Sequence, residues 1–351
     1  MNGYGDFTGV THGAAVMKDA AFWLAAEDYI MKTPPGPDGG RYFMCWRTPP
    51  RVIIGRNQIA EAEVDIEEAH RRNVGIVRRG SGGGAVYLDP GAVQYAAIEP
   101  YAPGDVGAMH SARVRVAASV ARVLNGYGVP AVAEGRNDIT ALGAKISGIS
   151  QFARGGWLNT HGTLLYDADL DVLSKLLRPD ADKFQSKAVQ SVRRRVANIR
   201  PMLPEHAGNR TAGAFMRAFD ADIKADAEKS GRPYRGFEPG AADLDAINAT
   251  RNERYANPAH TFRLSPPYTF HTSKRFAQGK VGFYAEVQNG IVSTCALRGD
   301  FIGDKPVEII EGALHGLPFQ LSAFDAALDG REVENCLGGV NKIELLKMIF
   351  D

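Results

Sequence analysis

In the stretch RRGSGGGAVYLD, residues 78–89, two arginines precede a serine and three consecutive glycines, and a strand-like run follows at once. Consecutive glycines can form a sharp turn, because glycine accepts a positive φ. They can also let backbone N–H groups approach an anionic ligand that a Cβ atom would exclude. The arginines can donate paired hydrogen bonds to phosphate or carboxylate. The Walker pattern is absent, as is a GxGxxG that opens a helix, so the sequence predicts a different type of anion-binding loop.

Length and charge indicate a globular chain with a large and a small domain. The chain has 351 residues, and its 41 basic and 40 acidic residues give a formal net charge of +1. A near-neutral chain is a poor candidate for binding nucleic acid or anionic membrane over a broad surface, so we expect neither partner. Cys45, Cys295 and Cys336 form no CxxC pair and predict neither a disulfide framework nor a zinc site. No apolar run reaches the length of a membrane span, and we expect a cytoplasmic monomer.

Hydrophobic patterning divides the chain into two regions. Residues 20–32, 64–73, 111–124 and 167–179 have helical patterns, and residues 41–47, 51–55, 74–79 and 91–100 have strand patterns. A polar, turn-rich stretch at 226–250 predicts a boundary between a domain at 1–250 and another at 251–351. In the second region, alternating runs around Asn289-Gly290 predict a hairpin, and residues 305–316 and 341–350 read as helices. The tail is therefore expected to be a small α+β domain.

Two further stretches contain chemically versatile side chains. GRNDITALGAKISG, residues 135–148, contains Asp138 and Lys145, and NTHGTLLYDADL, residues 159–170, contains His161. Taken singly, these residues indicate little: a lone lysine is more often a solvated surface residue, a lone histidine more often structural, and an aspartate often forms a turn. The order in which the stretches occur is more informative.

The set RRGSGGGAVYLD, GRNDI, KISG, HGTLLYDADL and KAVQSVRRRVANI resembles the lipoate–protein ligase A family, whose fold is shared with biotin–protein ligases and class II aminoacyl-tRNA synthetases. The resemblance covers nearly the whole chain, from FWLAAEDYI at residues 22–30 to a tail near residue 252 that is similar to the accessory domain of the long bacterial ligases. It implies an α+β fold, with a class II synthetase-like mixed sheet, flanking helices and a small α+β C-terminal domain.

The resemblance also implies an activity. Ligases of this family use ATP and Mg²⁺ to convert lipoate or octanoate to an acyl-AMP, and then transfer the acyl group to a lysine of a carrier domain. The carriers are 2-oxoacid dehydrogenase E2 subunits and the glycine cleavage H protein. By this resemblance Lys145 is the catalytic residue and contacts both ATP and lipoate, and Asp138 holds Mg²⁺ beside ATP.

The remaining site residues follow from the same resemblance. The further ATP-binding residues are Arg79, Gly84, Ala85, Val86 and Tyr87. The further lipoate-binding residues are Ser81, Gly82, Gly83, His161 and Gly162, together with Arg79. The basic run Arg193–Arg195 is expected to cover the intermediate, to dock an acidic carrier, or to form a solvated basic face.

Three alternative functions stay open. An ATP-independent lipoyl or octanoyl transferase of the same fold needs an activated cysteine, and no cysteine follows the Gly-rich loop or the Lys145 segment. A biotin ligase has a loop of the type GRGRRG, which differs from RRGSGGGAV. A non-catalytic binding protein that keeps the fold is the third alternative, and the presence of Lys145, Arg79 and Asp138 argues against it.

Overall fold

The computed structural model describes residues 17–32, 40–135, 137–177, 196–204, 210–262 and 269–350. The chain forms two compact units. The first contains Met1–Ile53, Asp65–Val77 and Val86–Asn257, and the second contains Ile54–Val64, Arg78–Ala85 and Pro258–Asp351. Most of the Gly-rich loop therefore belongs to the second unit. The domain boundary after residue 250 stays a prediction.

A mixed seven-stranded sheet forms the centre of the first unit. Its strand order is β10-β1-β5-β9-β8-β7-β6, with β10 parallel to β1 and the other neighbours antiparallel. A smaller sheet has the order β3-β2-β4. In chain order the strands are β1 (Arg41–Trp46), β2 (Arg51–Ile54), β3 (Gly75–Arg78), β4 (Val86–Leu88), β5 (Ala92–Pro100), β6 (Ala131–Glu134), β7 (Asp138–Ala141), β8 (Ala144–Arg154), β9 (Trp157–Leu165) and β10 (Tyr234–Arg235).

Helices lie before, between and after these strands, and side-chain caps fix where several begin. The helix predicted at 111–124 begins earlier, because Asp105 accepts a hydrogen bond from Ala108 N at 2.8 Å and so caps a first turn with little periodicity. Up to residue 262 the helices are α1 (Ala20–Ile30), α2 (Ala60–Glu63), α3 (Ile66–Arg71), α4 (Val106–Gly126), α5 (Leu170–Leu176), α6 (Ala212–Lys229), α7 (Ala241–Thr250) and α8 (Pro258–Phe262), with a 3₁₀ turn at Arg200–Met202 and a π-helical turn at Arg251–Tyr255.

The turn-rich stretch predicted at 226–250 contains a packed helix. Helix α7 buries Ile247 completely, and Tyr29 of α1 donates a hydrogen bond to Asp243 at 2.5 Å. Helix α7 is polar apart from one apolar stripe, which α1 covers. The sequence of α7 therefore shows no clear helical period. The end of this stretch is therefore part of the first unit's core.

The central sheet has two differently covered faces. Cross-strand partners share a face and successive residues alternate between faces. The face that carries Met44, Trp46 and Ala96 packs against α1, and we call it the α1 face. The face that carries Cys45 and Tyr95 packs against α4 and α6, and we call it the α4 face.

The second unit contains a three-stranded antiparallel sheet with helices around a separate core. The predicted hairpin is confirmed: Asn289 and Gly290 have positive φ angles of 51° and 78°, as a type I′ turn requires. No described helix combines the length and the apolar character needed to cross a bilayer. The remaining elements are β11 (Phe270–Phe276), β12 (Gly279–Gln288), β13 (Ile291–Gly299), α9 (Glu308–Leu314), α10 (Leu321–Leu328), α11 (Val333–Cys336) and α12 (Lys342–Phe350).

Candidate functional site

The first arginine of the Gly-rich loop is held by backbone carbonyls of the second unit. Arg78 is fully buried, and its Nη1 donates to Gly55 O at 2.9 Å and to Gln58 O at 2.6 Å. Its Nε donates to Thr261 O at 3.1 Å. This guanidinium therefore joins residues 55–58 to Thr261, and its role is structural.

The second arginine is folded back over the loop that follows it. Arg79 Nε donates to Ser81 Oγ at 3.0 Å, and Nη2 donates to Gly82 O at 2.6 Å and to Gly84 O at 2.8 Å. Burial lowers the pKa of Arg79 to about 10, because a buried cation loses hydration. It stays protonated at neutral pH, so the loop holds a buried positive charge that a bound anion would stabilise.

Different structural features explain why glycine occupies the three positions of the loop. A Cβ at Gly82 would lie 2.6 Å from Phe301 O, and Gly83 has a φ of 90° with Arg79 Nη2 3.0 Å from its Cβ position. Protein atoms thus account for these two glycines, and their contact with lipoate stays a prediction. Gly84 is exposed and has nothing within 4 Å of its Cβ position, so its backbone is open to a ligand.

The last residues assigned to the nucleotide lie on or beside a strand. Val86 and Tyr87 belong to β4 and pair with Ile53 and Val52 of β2. Tyr87 is buried, and burial raises its pKa to about 12, so its hydroxyl is neutral at physiological pH. Ala85, just before the strand, is partly exposed. Their contacts with ATP stay predictions.

A β-bulge places Lys145 on the α1 face together with Asp138. In the β7–β8 ladder Asp138 pairs with Gly148, Ile139 with Ser147 and Thr140 with Lys145, which leaves Ile146 as an extra residue. Regular alternation would put Lys145 on the face of Ser147, which contacts Tyr95 in the core. The extra residue reverses the direction of Lys145 and places it on the face of Asp138 and Gly148.

The ammonium of Lys145 is held between Asp138 and Gly148. Lys145 Nζ lies 2.6 Å from Asp138 Oδ1, as an ion pair whose angle is not that of a hydrogen bond. Both Cε and Nζ lie 3.0 Å from the Cβ position of Gly148, so a side chain there would displace the ammonium. The side chain of Lys145 is 35% exposed and therefore open to a ligand. The contact explains why a glycine follows the lysine at this spacing.

His161 lies on the same face and belongs to a buried carboxylate network that the sequence did not reveal. Glu27 of α1 is 1% exposed. Its Oε2 accepts from His161 Nδ1 at 3.0 Å and from Asn159 Nδ2 at 2.8 Å, and its Oε1 accepts from Trp46 Nε1 at 3.0 Å. Two adjacent acidic residues, Glu27 and Asp28, in a helix that is apolar up to that point were the available signal, because buried carboxyl groups require hydrogen-bond partners. The network fixes the His161 ring, with Phe152 next to it at 5.8 Å between ring centroids.

Gly162 lies on the opposite face from His161. A Cβ at Gly162 would lie 2.3 Å from the hydroxyl of Tyr95, which contacts Ser147 Oγ at 3.2 Å on the α4 face. The packing of Tyr95 therefore accounts for this glycine. Its contact with lipoate stays a prediction.

The three cysteines are poorly suited to nucleophilic chemistry. Cys45 is fully buried on the α4 face, and burial raises its pKa well above the ordinary value. Burial also raises the pKa of Cys295 to about 12 and that of Cys336 to about 11. None of these thiols is ionised at neutral pH, and the thiolate is the reactive form.

The basic run Arg193–Arg195 lies outside the described residues. The described chain resumes at Val196, which forms a parallel bridge with Lys145, and Ala197 N donates to Lys145 O at 3.0 Å. The described chain therefore resumes directly beside Lys145.

Comparison with known proteins shows the family. Residues 19–220 match the family described as lipoyl protein ligase A/B catalytic domain, and residues 265–349 match that described as bacterial lipoate protein ligase C-terminus. The lipoate-protein ligase LplJ of Bacillus subtilis is 31% identical over 334 residues, which are 95% of this chain and 98% of the relative.

Solved structures show the same fold. P. falciparum LipL1 in complex with lipoate has a TM-score of 0.74 at 18% identity and covers 94% of this chain and 97% of its own. A lipoate-protein ligase A bound with ATP has a TM-score of 0.56 at 22% identity and covers 70% of this chain and 95% of its own. The predicted fold class and family resemblance are confirmed. The protein belongs to the lipoyl protein ligase A/B family, with the C-terminal region of the bacterial lipoate protein ligases.

Proposed function

We propose that this protein is an ATP-dependent lipoate–protein ligase that makes an acyl-AMP from lipoate or octanoate and transfers the acyl group to a carrier lysine. In the first step a carboxylate oxygen attacks the α-phosphorus of ATP and pyrophosphate leaves. In the second, the carrier amine attacks the acyl carbonyl, loses a proton and displaces AMP. The observation that carries the proposal is the accessible Lys145 ammonium between Asp138 and Gly148.

The Lys145 ammonium can stabilise the negative charge that opposes both steps. The carboxylate and the α-phosphate repel each other, and a cation that hydrogen-bonds both lowers that barrier. The same ammonium stabilises the oxyanion that forms when the carrier lysine attacks the carbonyl. Because the bulge and Gly148 fix its position, the charge is oriented before the substrate binds.

Arg79 and the loop supply the second positive group of the proposal. Its guanidinium is buried and charged, and phosphate oxygens are suitable acceptors for the fork of an arginine. The open backbone at Gly84 offers a place for close approach of the nucleotide. The ATP contacts of Arg79 and of Gly84 to Tyr87 are part of this proposal.

Mg²⁺ enters the proposal as part of the MgATP substrate. No cluster of three or more metal-binding side chains occurs within the described ranges. Mg²⁺ is commonly held by one or two carboxylates together with substrate phosphates, and Asp138 has a 39% exposed side chain. Lys145 already pairs with this carboxylate, so the ion and the ammonium would share Asp138.

The network around Glu27 supports an acyl-binding role for His161. It fixes the imidazole with its centroid 5.8 Å from that of the partly exposed Phe152 ring, which supplies apolar surface on the α1 face. An apolar wall with one oriented polar group is typical of a small-molecule site. We assign this wall to the acyl chain and its dithiolane end.

The carriers in this proposal are lipoyl domains of E2 subunits and the glycine cleavage H protein. Basic residues at Arg193–Arg195 would steer an acidic carrier toward the protein. The cytoplasmic location and the monomeric state stay predictions.

A cysteine-dependent transferase is the main alternative, and the buried thiols with raised pKa values argue against it. Replacing Cys45, Cys295 and Cys336 together by alanine tests it directly. Retained transfer of lipoate to a carrier would eliminate the alternative. Loss of transfer with an intact fold would favour it.

The proposed function is tested by incubating the protein with ATP, Mg²⁺ and lipoate without a carrier and detecting lipoyl-AMP by mass spectrometry. We expect the adenylate from the wild-type protein. Lys145→Ala should lower its rate of formation by about 100-fold to 1,000-fold, as for loss of one oriented electrostatic donor. If no adenylate or pyrophosphate forms even with a carrier domain, the ligase proposal is wrong.

A further inference from the structure

Gln94 has a buried amide nitrogen that pairs with none of the residues the structure describes. This residue of β5 is 8% exposed and lies on the α1 face. Its Oε1 accepts a hydrogen bond from Thr163 Oγ1 at 2.9 Å, which fixes the amide plane. Its Nε2 is buried and has no hydrogen-bond partner in the part of the chain that the structure describes. Buried N–H donors are nearly always paired, so this one needs an explanation.

A second buried glutamine provides a direct contrast. Gln151 of β8 is 3% exposed and lies on the α4 face. Its Nε2 donates to Met109 O at 3.1 Å and to Thr160 Oγ1 at 2.7 Å. The same type of side chain, also paired with a threonine of β9, is thus satisfied on one face and unsatisfied on the other. Among the described residues, therefore, the α1 face provides no partner for this amide, and a ligand could supply one.

The strand register places Gln94 in the same row as the Lys145 site. Gln94 pairs with Thr163, Thr163 with Gly148, and Gly148 with Asp138. Neighbouring strands lie about 5 Å apart, so Gln94 and Gly148 flank Thr163 at roughly 5 Å on either side. The ammonium of Lys145 lies over Gly148. The amide of Gln94 and this ammonium can therefore reach one small group above Thr163.

We propose that Gln94 Nε2 donates a hydrogen bond to the carboxylate of the acyl substrate, and then to the carbonyl oxygen of the acyl adenylate, opposite Lys145. The inference rests on the proposed function. The row continues from Gln94 to Trp46, which donates to Glu27 in the network that orients His161. Gln94 thus lies between the ammonium and the acyl-binding wall, which is where the carboxyl carbon must be.

A neutral donor at this place has a chemical advantage. A second cation would bind the carboxylate more tightly and make it a weaker nucleophile toward phosphorus. An amide N–H orients the carboxylate without adding charge, and it strengthens as charge develops on the carbonyl oxygen during attack by the carrier amine. Gln94 is thereby a substrate-contacting residue in both half-reactions.

The test replaces Gln94 by methionine, which has a similar length and no donor, and uses Gln151→Met as the matched control. Lipoate binding is measured by titration calorimetry without ATP. Adenylate formation and transfer from chemically prepared lipoyl-AMP to an apo lipoyl domain are measured separately. For Gln94→Met we expect weaker lipoate binding, a loss of about 10-fold to 100-fold in kcat/KM of both half-reactions, and an unchanged or raised Tm. Gln151→Met should lower Tm and leave both half-reactions within about twofold.

Wild-type lipoate affinity in Gln94→Met would overturn the inference, whatever the turnover. A rise confined to the KM for ATP would also overturn it, because the donor would then face a phosphate. Thr163→Val provides a second variant: it removes the hydrogen bond that fixes the amide, so we expect a smaller loss in kcat than for Gln94→Met together with a lower Tm. If wild-type protein binds lipoate but makes no adenylate, the proposed function fails, and the affinity comparison still decides the role of Gln94.

Discussion

Gly148→Ala tests whether the position of the Lys145 ammonium matters for activity, because the substitution moves the charge without removing it. The added Cβ would lie 3.0 Å from Lys145 Cε and Nζ, whereas carbon contacts are ordinarily about 3.5–4.0 Å. The ammonium must therefore move by roughly 0.5–1 Å. A displacement of about 1 Å at a reacting centre can lower a rate by about 100-fold, so we expect adenylate formation to fall by about 10-fold to 100-fold.

The same change should leave the fold intact. Gly148 is not among the described glycines with a positive φ, so alanine fits its backbone. Lys145 is 35% exposed and can shift without displacing the core. Replacing a strand glycine by alanine also restricts the unfolded chain and stabilises by about 0.4–1 kcal/mol where the conformation allows it. Tm should therefore be unchanged or slightly higher while activity falls.

The assay is pyrophosphate release with lipoate and MgATP, read beside thermal unfolding. Gly126→Ala is the matched control, because this glycine ends α4, has no positive φ and has nothing within 4 Å of its Cβ position. It should keep wild-type activity. In a Lys145→Ala background Gly148→Ala should have no further effect, since the two changes act through one group. A wild-type rate in the single variant, or an additional loss in the double variant, would show that Gly148 does not act by positioning the Lys145 ammonium.

Three further outcomes follow from buried contacts of the described residues. Gly162→Ala would put a Cβ 2.3 Å from the Tyr95 hydroxyl and should lower the free energy of unfolding in urea by about 1–3 kcal/mol, and a variant as stable as wild type would contradict the packing argument. Glu27→Gln replaces an acceptor of buried donors by an NH₂ group, so it should lower Tm and raise the KM for lipoate more than it lowers kcat, and equal effects on both constants would argue against an acyl-binding role of the network. Burial raises the pKa of Cys295 from 9.0 to about 12, so the folded state keeps its proton where the unfolded state has lost it. The contribution of the protonated thiol to the free energy of unfolding is complete below pH 9 and is lost between pH 9 and pH 12. Cys295→Ala should therefore flatten the decline of the free energy of unfolding at alkaline pH. An identical decline in both proteins would exclude the thiol as its cause.

Local signals in the sequence were sufficient for most of the fold. The helix at 20–30 and the Asn289-Gly290 hairpin form where the patterns place them, because their periods and turn residues agree with the contacts they make. Helix α7 was missed for the opposite reason. Its buried stripe consists of few residues, and its packing on α1 depends on a contact between residues 214 positions apart. Such a long-range contact leaves no local pattern.

The sequence predicted which types of residue form the site, but it predicted little of their geometry. Resemblance placed Lys145 and Asp138 in one motif, but their common face depends on the extra residue at Ile146. A two-residue period assigns Lys145 to the wrong face of the sheet, and no sequence rule marks this bulge. Glu27 was missed because its partners come from separate strands, which only the folded sheet brings to α1.

The adjacent residues Arg78 and Arg79 have different roles in the structure. Side chains of successive residues in an extended segment point to opposite sides, so Arg78 and Arg79 were never both able to face one ligand. The family resemblance assigned the anion-binding role to Arg79, but local sequence patterns gave no physical reason for that choice. The structure gives one, because Arg78 donates to the carbonyl of Thr261, 183 positions away. Arg78 is bound by backbone carbonyls, whereas Arg79 lies over the Gly-rich loop. Replacing Arg79 should therefore raise the KM for ATP without unfolding the second unit, and replacing Arg78 should not have this selective effect.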